Sequence, residues 1–486
     1  MIIANIFLYT IVDKLIILNY NIRNCLHMFC QNNMYFSEII TREVFIINAN
    51  EPPLGEILRD IRVSKDMSQE ETADLAQIHR STLSDIETGK IPCSSTNLRA
   101  IKKALGVEEL PLLKKERLHF RDMMFGWNHE ISEGNFEMAK VLRERFSVIK
   151  RLPHVKDLNI WFSVFDCRLS LALREIEAAE VILNEQDETF ESFSDFQQYY
   201  YFFNKGRYYG TKNDDRRLDF YLKAYALEQN GIEKHINLYI NISNAYRIKG
   251  FVTLSITFLE EACTLLSDKH SVEFKIDLYN DLGGNYVDAN ILQRAKKILL
   301  KALPLANKNY ESNPSDKNRI LLGKVLFNAG YLFRKAKIYI KAIDLLNLAI
   351  SYLISDKILH MEAMYQKART FVETDDHLSA TEIIREGIKL AKGNEVYTIM
   401  FEELNTLMYP GVDNVKHMHK VVLPYMLKND YVHLALDYAT FLKNHYESKG
   451  YVPKKTVLEM SDIICTIQSK MYEGSVIEWE KDSYDI

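Results

Sequence analysis

The polar side chains between residues 79 and 85 have the most specific chemistry in this sequence. Arg80, Ser81 and Thr82 open a short amphipathic segment that ends at Gly89. Guanidinium and hydroxyl groups hydrogen-bond base edges and phosphates when the start of a helix lies in the major groove of DNA. We therefore predict that this segment is a DNA-reading helix.

Three further helices are predicted to position that segment. Apolar residues between 54 and 65 recur at helical spacing and predict a first helix. Ser68 and Glu71 form the pattern of a capping box at the start of a second helix. Ser94 is predicted to cap a fourth helix, and Gly106 is predicted to end it.

Residues 54–107 resemble the lambda-repressor-like, Xre-type helix-turn-helix family without a gap. The resemblance is carried by Ser-Gln-Glu-Glu at residues 68–71 and by His-Arg-x-x-hydrophobic-Ser-x-Ile-Glu-x-Gly at residues 79–89. The chain departs from the family pattern at Thr72, which replaces a core leucine, and at Gln77, which replaces the turn glycine. We expect Gln77 to adopt a left-handed backbone conformation, which costs on the order of 1 kcal/mol.

The resemblance implies that one group of polar side chains contacts DNA. Arg80 is expected to contact guanine or to clamp a phosphate, and Gln69 is expected to bind a phosphate. The predicted DNA-binding residues are Gln69, His79, Arg80, Ser81, Thr82, Ser84 and Asp85. Alternatively, they are solvated residues of a protein-binding helical bundle. Because acidic residues balance the basic ones in this module, we expect one copy to bind weakly and a homodimer to bind a two-fold symmetric operator.

Behind this module, small residues recur about every 40 residues. The predicted equivalent positions are Ala139, Ala179, Arg217, Ser255, Ala295, Ala342 and Ala380, among which Arg217 fits poorly. Glycine and aromatic residues accompany them, as at Gly283 and Tyr286. The pattern resembles the tetratricopeptide repeat family, with units longer than the usual length of about 34 residues.

The repeat resemblance implies a concave face lined by the first helix of each unit. Asparagine side chains both donate and accept hydrogen bonds, so several on one face can hold an extended peptide backbone. The predicted peptide-binding residues are Asn241, Asn244, Asn280, Asp281, Asn328, Tyr331, Arg334, Tyr365, Gln366 and Arg369. Arg334 and Arg369 are expected to hold a carboxylate. The alternative is that the asparagines are solvated or bond between repeats.

The predicted fold class is all-α, with a lambda-repressor-like helix-turn-helix domain followed by a right-handed tetratricopeptide-like α-solenoid. We place the helix-turn-helix domain at residues 51–108, a basic linker helix at 109–121, and the repeats with C-terminal capping helices at 122–486. Residues 1–50 are interpreted as a non-functional extension, with a packed helix or strand and a signal peptide as alternatives. The low content of 18 Gly and 10 Pro in 486 residues disfavours turn-rich all-β folds.

Several function classes are disfavoured by the sequence. The six cysteines are scattered without a CxxC pair, which indicates reduced thiols in the cytoplasm and no metal site. No membrane span is predicted, and the net charge of −5 requires any DNA site to be local. The sequence lacks HExxH, GxSxG, P-loop and dinucleotide motifs, so we predict no enzyme activity and no cofactor.

An Xre-type reader joined to tetratricopeptide-like repeats resembles the RRNPP regulators. This resemblance implies double-stranded operator DNA and a short signalling peptide as partners, with the peptide altering DNA binding through the geometry of a homodimer. The alternative function is a protein-binding adaptor that sequesters a response regulator or a phosphotransfer protein.

Overall fold

The computed structural model describes residues 53–107, 114–147, 149, 155–268, 270–449 and 453–473. All regular elements in these ranges are helical. The predicted extension at residues 1–50 lies outside the described residues. Contacts divide the chain into two compact units, residues 1–128 with 137–165 and residues 129–136 with 166–486.

Four short helices form the predicted reader module. They are α1 (Pro53–Ser64), α2 (Gln69–Ala76), α3 (Arg80–Glu87) and α4 (Ser95–Ala104). Leu58, Leu83, Ile86 and Ile101 lie at the centre of their shared core. Thr72, at the family's leucine position, is fully buried, and its hydroxyl lacks a hydrogen-bond partner in the described residues. A buried hydroxyl without a partner is destabilising, so this departure from the family weakens the module.

The caps of these helices follow the sequence expectations. Ser68 Oγ accepts the backbone N–H of Glu71 at 3.0 Å, and Ser94 Oγ accepts that of Asn97 at 3.1 Å. Gln77 ends α2 in the left-handed region, with φ 56° and ψ 39°. The expectation for this turn is confirmed, since a non-glycine residue occupies the conformation that glycine adopts most easily.

Helices occupy most of the rest of the described chain. The first eight are α5 (Lys114–Ser132), α6 (Phe136–Phe146), α7 (Lys156–Ala172), α8 (Ile176–Thr189), α9 (Asp195–Thr211), α10 (Arg216–Gln229), α11 (Ile236–Ile248) and α12 (Val252–Thr264). The next are α13 (Val272–Asp288), α14 (Leu292–Ser312), α15 (Asp316–Lys335), α16 (Tyr339–Tyr352), α17 (Lys357–Glu373) and α18 (His377–Ala391). The last are α19 (Glu395–Met408), α20 (Val412–His417), α21 (Leu423–Lys428), α22 (Val432–Lys449) and α23 (Lys454–Met471). Helix α5 begins at Lys114, within the predicted linker at 109–121, and continues without a break to Ser132.

The same turn joins the two helices of eight hairpins. Each turn contains one residue with positive φ, and the next backbone N–H donates to the carbonyl five residues earlier at 2.8–3.0 Å. The positive-φ residues are Gly134, Arg174, Asn213, Gly250, Asn290, Lys337, Asp375 and Asp430. This hydrogen bond is the Schellman pattern, which satisfies a free carbonyl at the end of the first helix.

The turns define the register of the repeats. In all eight hairpins the fifth residue after the positive-φ residue is buried in the second helix, at Ala139, Ala179, Leu218, Ser255, Ala295, Ala342, Ala380 and Ala435. The assignment of Arg217 is therefore wrong by one residue, and Leu218 is the equivalent. After Asn213 the chain takes one extra residue before α10, with short-range bonds from the amides of Arg217 and Leu218 to Asp214 and Asp215.

A stability prediction follows for the exposed turn residue Lys337, whose φ is 61°. Lys337→Gly should raise the free energy of unfolding by about 0.5 kcal/mol, because glycine has no β-carbon to oppose a left-handed backbone. Lys337→Ala is the matched control, since it removes the side chain but keeps the β-carbon. Calorimetric unfolding should give a higher midpoint for the glycine variant than for the alanine variant. Equal midpoints would contradict the strain at this turn.

Candidate functional site

The N-terminal end of α3 is an exposed polar surface. His79 caps the helix, with its Nδ1 accepting the backbone N–H of Ser81 at 3.4 Å and lying 2.7 Å from Ser81 Oγ. His79, Arg80 and Ser81 are exposed, whereas Thr82, Ser84 and Asp85 are half-buried. The positive end of the helix dipole and the Arg80 guanidinium therefore lie together on the surface, as anion binding requires.

Gln69 has a second role that the sequence did not reveal. Its Nε2 donates to Glu87 Oε2 at 2.7 Å, and Glu87 also accepts from Arg62 Nε at 2.7 Å and Nη2 at 3.0 Å. Arg62 Nη1 donates to the Met67 carbonyl at 2.8 Å, and the hydrogen bond with Glu87 raises the pKa of Arg62. This network joins α1, α2 and α3, and the second proton of the Gln69 amide remains available for a phosphate.

A cavity of about 320 Å³ lies within the repeats, lined by α11, α13, α15, α17, α22 and one residue of α19. Nine of the ten residues predicted to bind peptide line this cavity. The exception is Asn241, whose Oδ1 accepts from Tyr221 Oη at 3.2 Å and whose Nδ2 donates to the Asn237 carbonyl at 2.7 Å. The helical register thus brings side chains together across more than 120 residues of sequence.

The asparagines of the cavity differ in their hydrogen bonding. Asn328 Nδ2 donates to Asn280 Oδ1 at 2.9 Å and to the Asn280 carbonyl at 3.2 Å, which is a bond between repeats. Asn244 has no protein hydrogen bond within the described part of the chain. Asn244 therefore keeps both its donor and its acceptor for a ligand, while Asn280 and Asn328 partly satisfy each other.

The two cavity arginines already have carboxylate partners in the protein. Arg334 Nε donates to Gln366 Oε1 at 2.9 Å, and its Nη1 bonds Glu373. Arg369 Nη1 donates to Asp437 Oδ2 at 2.5 Å and its Nε lies 3.4 Å from Glu373. Although burial opposes it, Arg369 lowers the pKa of Asp437. The carboxylate expected at these guanidinium groups is thus supplied by the chain itself.

One wall of the cavity comes from α22, although no residue of α22 is among the predicted peptide-binding residues. His433, Leu434 and Asp437 line the cavity, and His433 Nε2 lies 3.8 Å from Asp288 Oδ2. No sequence signal marks these residues, because their partners lie many repeats earlier in the chain.

The C-terminal hairpin is anchored far from its position in the sequence. Thr253 Oγ1 donates to the Met471 carbonyl at 3.1 Å, across 218 residues. A β-carbon on Gly250 would lie 2.6 Å from a Val432 methyl carbon. Gly250 is therefore required both for its φ of 83° and for the close approach of α22.

Two polar groups of the cavity, the Asp281 carboxylate and the Tyr365 hydroxyl, are buried at a cost in stability. Burial and the Asp277 carboxylate raise the pKa of Asp281 to about 6, against the opposing charges of Lys324 and Arg247. The hydroxyl of Tyr365, a residue that is 1% exposed, has no hydrogen-bond partner among the described residues. A polar ligand that reached both groups would satisfy donors and acceptors that are otherwise costly to bury.

Comparison with known proteins gives one matching family and two similar proteins. Residues 58–112 match the family described as helix-turn-helix. Control protein C.BamHI of Bacillus amyloliquefaciens is 47% identical over 60 residues, which are 12% of this chain and 74% of that protein. Transcriptional activator NprA of Geobacillus stearothermophilus is 21% identical over 389 residues, which are 76% of this chain and 92% of that protein.

Solved structures share the fold of the repeats. NprR in complex with its cognate peptide NprX is 19% identical, with a TM-score of 0.54 over 72% of this chain and 99% of that chain. A Rap protein complexed with competence and sporulation factor is 15% identical, with a TM-score of 0.57 over 74% of this chain and 99% of that chain. These likenesses and the eight hairpins confirm the predicted all-α fold class.

The described residues lack two further kinds of feature, a metal site and a membrane-spanning helix. They contain no group of three or more His, Cys, Asp or Glu side chains placed to hold a metal ion. They also contain no helix of the length and apolar character that crossing a membrane requires.

The raised pKa of Asp281 predicts a pH-dependent difference in stability. The folded chain binds this proton more tightly than the unfolded chain, so stability is lost as the pH rises through about 6. Asp281→Asn carries no charge at any pH. Its unfolding midpoint should lie close to that of the wild type at pH 4, near the pKa of an unfolded aspartate, and exceed it at pH 7.5.

The matched control for this experiment is Asp413→Asn, at an exposed carboxylate on α20. Its difference from the wild type should be the same at both pH values. An Asp281→Asn midpoint that stays at or below the wild type at pH 7.5 would show that the carboxylate is not destabilised by burial.

Proposed function

We infer that the chain is an RRNPP-type regulator, a class that joins an Xre-type helix-turn-helix to tetratricopeptide-like repeats. Its helix-turn-helix match, its likeness to NprA and the fold that it shares with NprR support this inference. We propose that it is a sequence-specific DNA-binding transcriptional regulator whose repeats bind a short signalling peptide. The observation that carries the proposal is that nine of the ten residues predicted from the sequence to bind peptide line one cavity.

The reader module supports the DNA-binding part of the proposal. Arg80 and Ser81 are exposed at the start of α3, and the Arg62–Glu87–Gln69 network holds three helices together. NprA is a transcriptional activator by its name. We propose that Gln69, His79, Arg80, Ser81, Thr82, Ser84 and Asp85 form the DNA-contacting surface, on operator DNA in the cytoplasm.

The cavity supports the peptide-binding part. NprR, which shares the fold, is described in complex with a peptide. An extended peptide offers a backbone N–H and a carbonyl at every residue, and Asn244 can bond both. Leu359, Met400 and Leu434 add apolar lining for side chains. This mixture of apolar walls and a few polar groups is typical of ligand sites.

The proposed coupling is a population shift in a homodimer. Two reader modules must match half-sites about one DNA turn apart, so a change in their spacing alters affinity. The α22 wall contacts several repeats through Asp437, His433 and Val432. A peptide that binds one arrangement of these contacts more tightly increases the population of that arrangement in the dimer. The ratio of its affinities for the two arrangements sets the size of the increase.

The first test concerns DNA. Arg80→Ala should lower the affinity for an operator about 5- to 150-fold, because a lost guanine contact is worth about 1–3 kcal/mol. The probes are tiled duplexes from the region upstream of the protein's own gene, in mobility-shift assays at one fixed salt concentration. Arg59→Ala, an equal charge change at an exposed position of α1, is the control. An unchanged affinity for Arg80→Ala would contradict this orientation of the module.

The second test concerns the peptide. Synthetic peptides of five to eight residues, taken from the ends of short reading frames beside the gene, are titrated calorimetrically. Asn244→Ala should weaken binding about three- to tenfold, as the loss of one or two hydrogen bonds predicts. Asn347→Ala, at an exposed site on α16, should not change it. Peptides that bind are then added to the mobility-shift assay with operator DNA, and if none of them changes the DNA affinity, the sensor role is wrong.

A further inference from the structure

The register of the hairpin turns extends the row of cavity residues toward the N-terminus. The sixth residue before the positive-φ residue is, in six successive first helices, Arg168, Arg207, Asn244, Gly284, Tyr331 and Arg369. The last four of these line the cavity. Since equivalent positions of stacked repeats face the same way, Arg168 on α7 and Arg207 on α9 continue the same row.

Arg207 is a half-buried cation without a protein counter-charge. In the described part of the chain it has no ion pair and no side-chain hydrogen bond. Burial lowers its pKa, against small contributions from Tyr221 and Cys167. A charge removed from water in this way is destabilising unless an anion compensates for it, so the position favours an anionic ligand.

Arg168 lies close enough to Arg207 for their charges to interact. Burial and the charge of Arg207 lower the pKa of Arg168 to about 10, against the opposing effect of Tyr200. Its Cζ lies 5.1 Å from the centre of the Phe203 ring and 5.8 Å from that of Tyr200, and its Nη2 donates to Ser132 Oγ at 2.9 Å. The contacts with these two rings hold the Arg168 guanidinium in place.

The charges around the row differ between its two ends. The two arginines of α7 and α9 are followed by Asn244 on α11, whereas α13 carries Asp281 and Asp288 outside the row. Arg369, at the far end, is neutralised by Asp437 and Glu373. Arg207 has no ion pair with a carboxylate of the described residues.

We propose that the ligand-binding groove continues beyond the cavity to Arg168 and Arg207, and that this pair binds a carboxylate of the peptide. The peptide then lies with its carboxylate end at α9 and its amino end toward Asp281. This inference rests on the proposed peptide-binding function and moves carboxylate recognition from Arg334 and Arg369 to the opposite end of the row.

The spacing of the helices sets the length of peptide that fits. Two helix-to-helix steps separate α9 from α13, or about 16–20 Å at the usual 8–10 Å for each step. An extended chain covers about 3.3–3.6 Å per residue. A peptide that joins Arg207 to Asp281 therefore has about five or six residues between its charged ends.

The experiment uses four pools of random hexapeptides and the full chain. The pools have either a free or an amidated C-terminus, and either contain or lack Asp and Glu. Peptides retained by the protein are separated by gel filtration and quantified by mass spectrometry. The amidated pool without Asp and Glu should be retained at least tenfold less than the free-acid pool with them. A loss with amidation alone identifies the C-terminal carboxylate, and a loss only without Asp and Glu identifies a side chain.

Variants assign the effect to the groove. Arg207→Gln should abolish the preference for carboxylate-bearing pools, Arg207→Lys should keep part of it, and Arg385→Gln, at an exposed site of α18, should leave it unchanged. Circular dichroism and the unfolding midpoint check that each variant is folded.

The outcomes separate the inference from the function on which it rests. Equal retention of all four pools by the wild-type chain would overturn carboxylate recognition while leaving the peptide receptor intact. A preference that persists in a folded Arg207→Gln variant would place the carboxylate elsewhere. Retention of no pool at all would contradict the peptide-receptor proposal, and this inference with it.

Discussion

The left-handed turn with its hydrogen bond across six residues is the constraint on which the repeats depend. It ends the first helix of each hairpin at a defined residue, and the second helix starts soon afterwards. The fifth residue after the turn then faces the partner helix, and the sixth residue before it belongs to the row that reaches the cavity. Six of the eight residues are not glycine, but four of these are Asn or Asp, which adopt the left-handed region more readily than other non-glycine residues. Packing between helices therefore imposes the turn on residues that disfavour it at Arg174 and Lys337.

The cavity depends on a second interaction, the contact of α22 with the earlier repeats. Arg369 joins Asp437 of α22 to Glu373 of its own helix, and Gly250 admits Val432 at close range. Removing one partner of such a buried charge pair leaves the other uncompensated, which is far more destabilising than the pair is stabilising. The wall formed by α22 is therefore held by groups that a charged ligand can also reach.

Much of this organisation could be predicted from sequence, because local signals specify it. Ser68, Ser94 and Gln77 mark helix ends by short-range chemistry, and these expectations are confirmed. The repeat spacing predicts buried residues of the second helices, with an error of one residue at Arg217. The tetratricopeptide resemblance, which assigns inward-facing positions to each repeat, predicts the cavity residues, and nine of the ten line the cavity. The contacts of Asp437, Glu373 and Met471 could not be predicted, since they join parts of the chain that no repeat pattern relates.

The distribution of charge in the cavity has a consequence for selectivity. Its lining contains four cations, Arg247, Lys324, Arg334 and Arg369, and four anions, Asp281, Asp288, Glu362 and Asp437. A lining of this kind does not select a ligand by net charge. It selects by the position of each charge, because a carboxylate placed beside Asp281, or an ammonium beside Arg207, meets an unfavourable field in a partly desolvated site. Under the proposed peptide-binding function, peptides of equal composition and different order should therefore bind with different affinities.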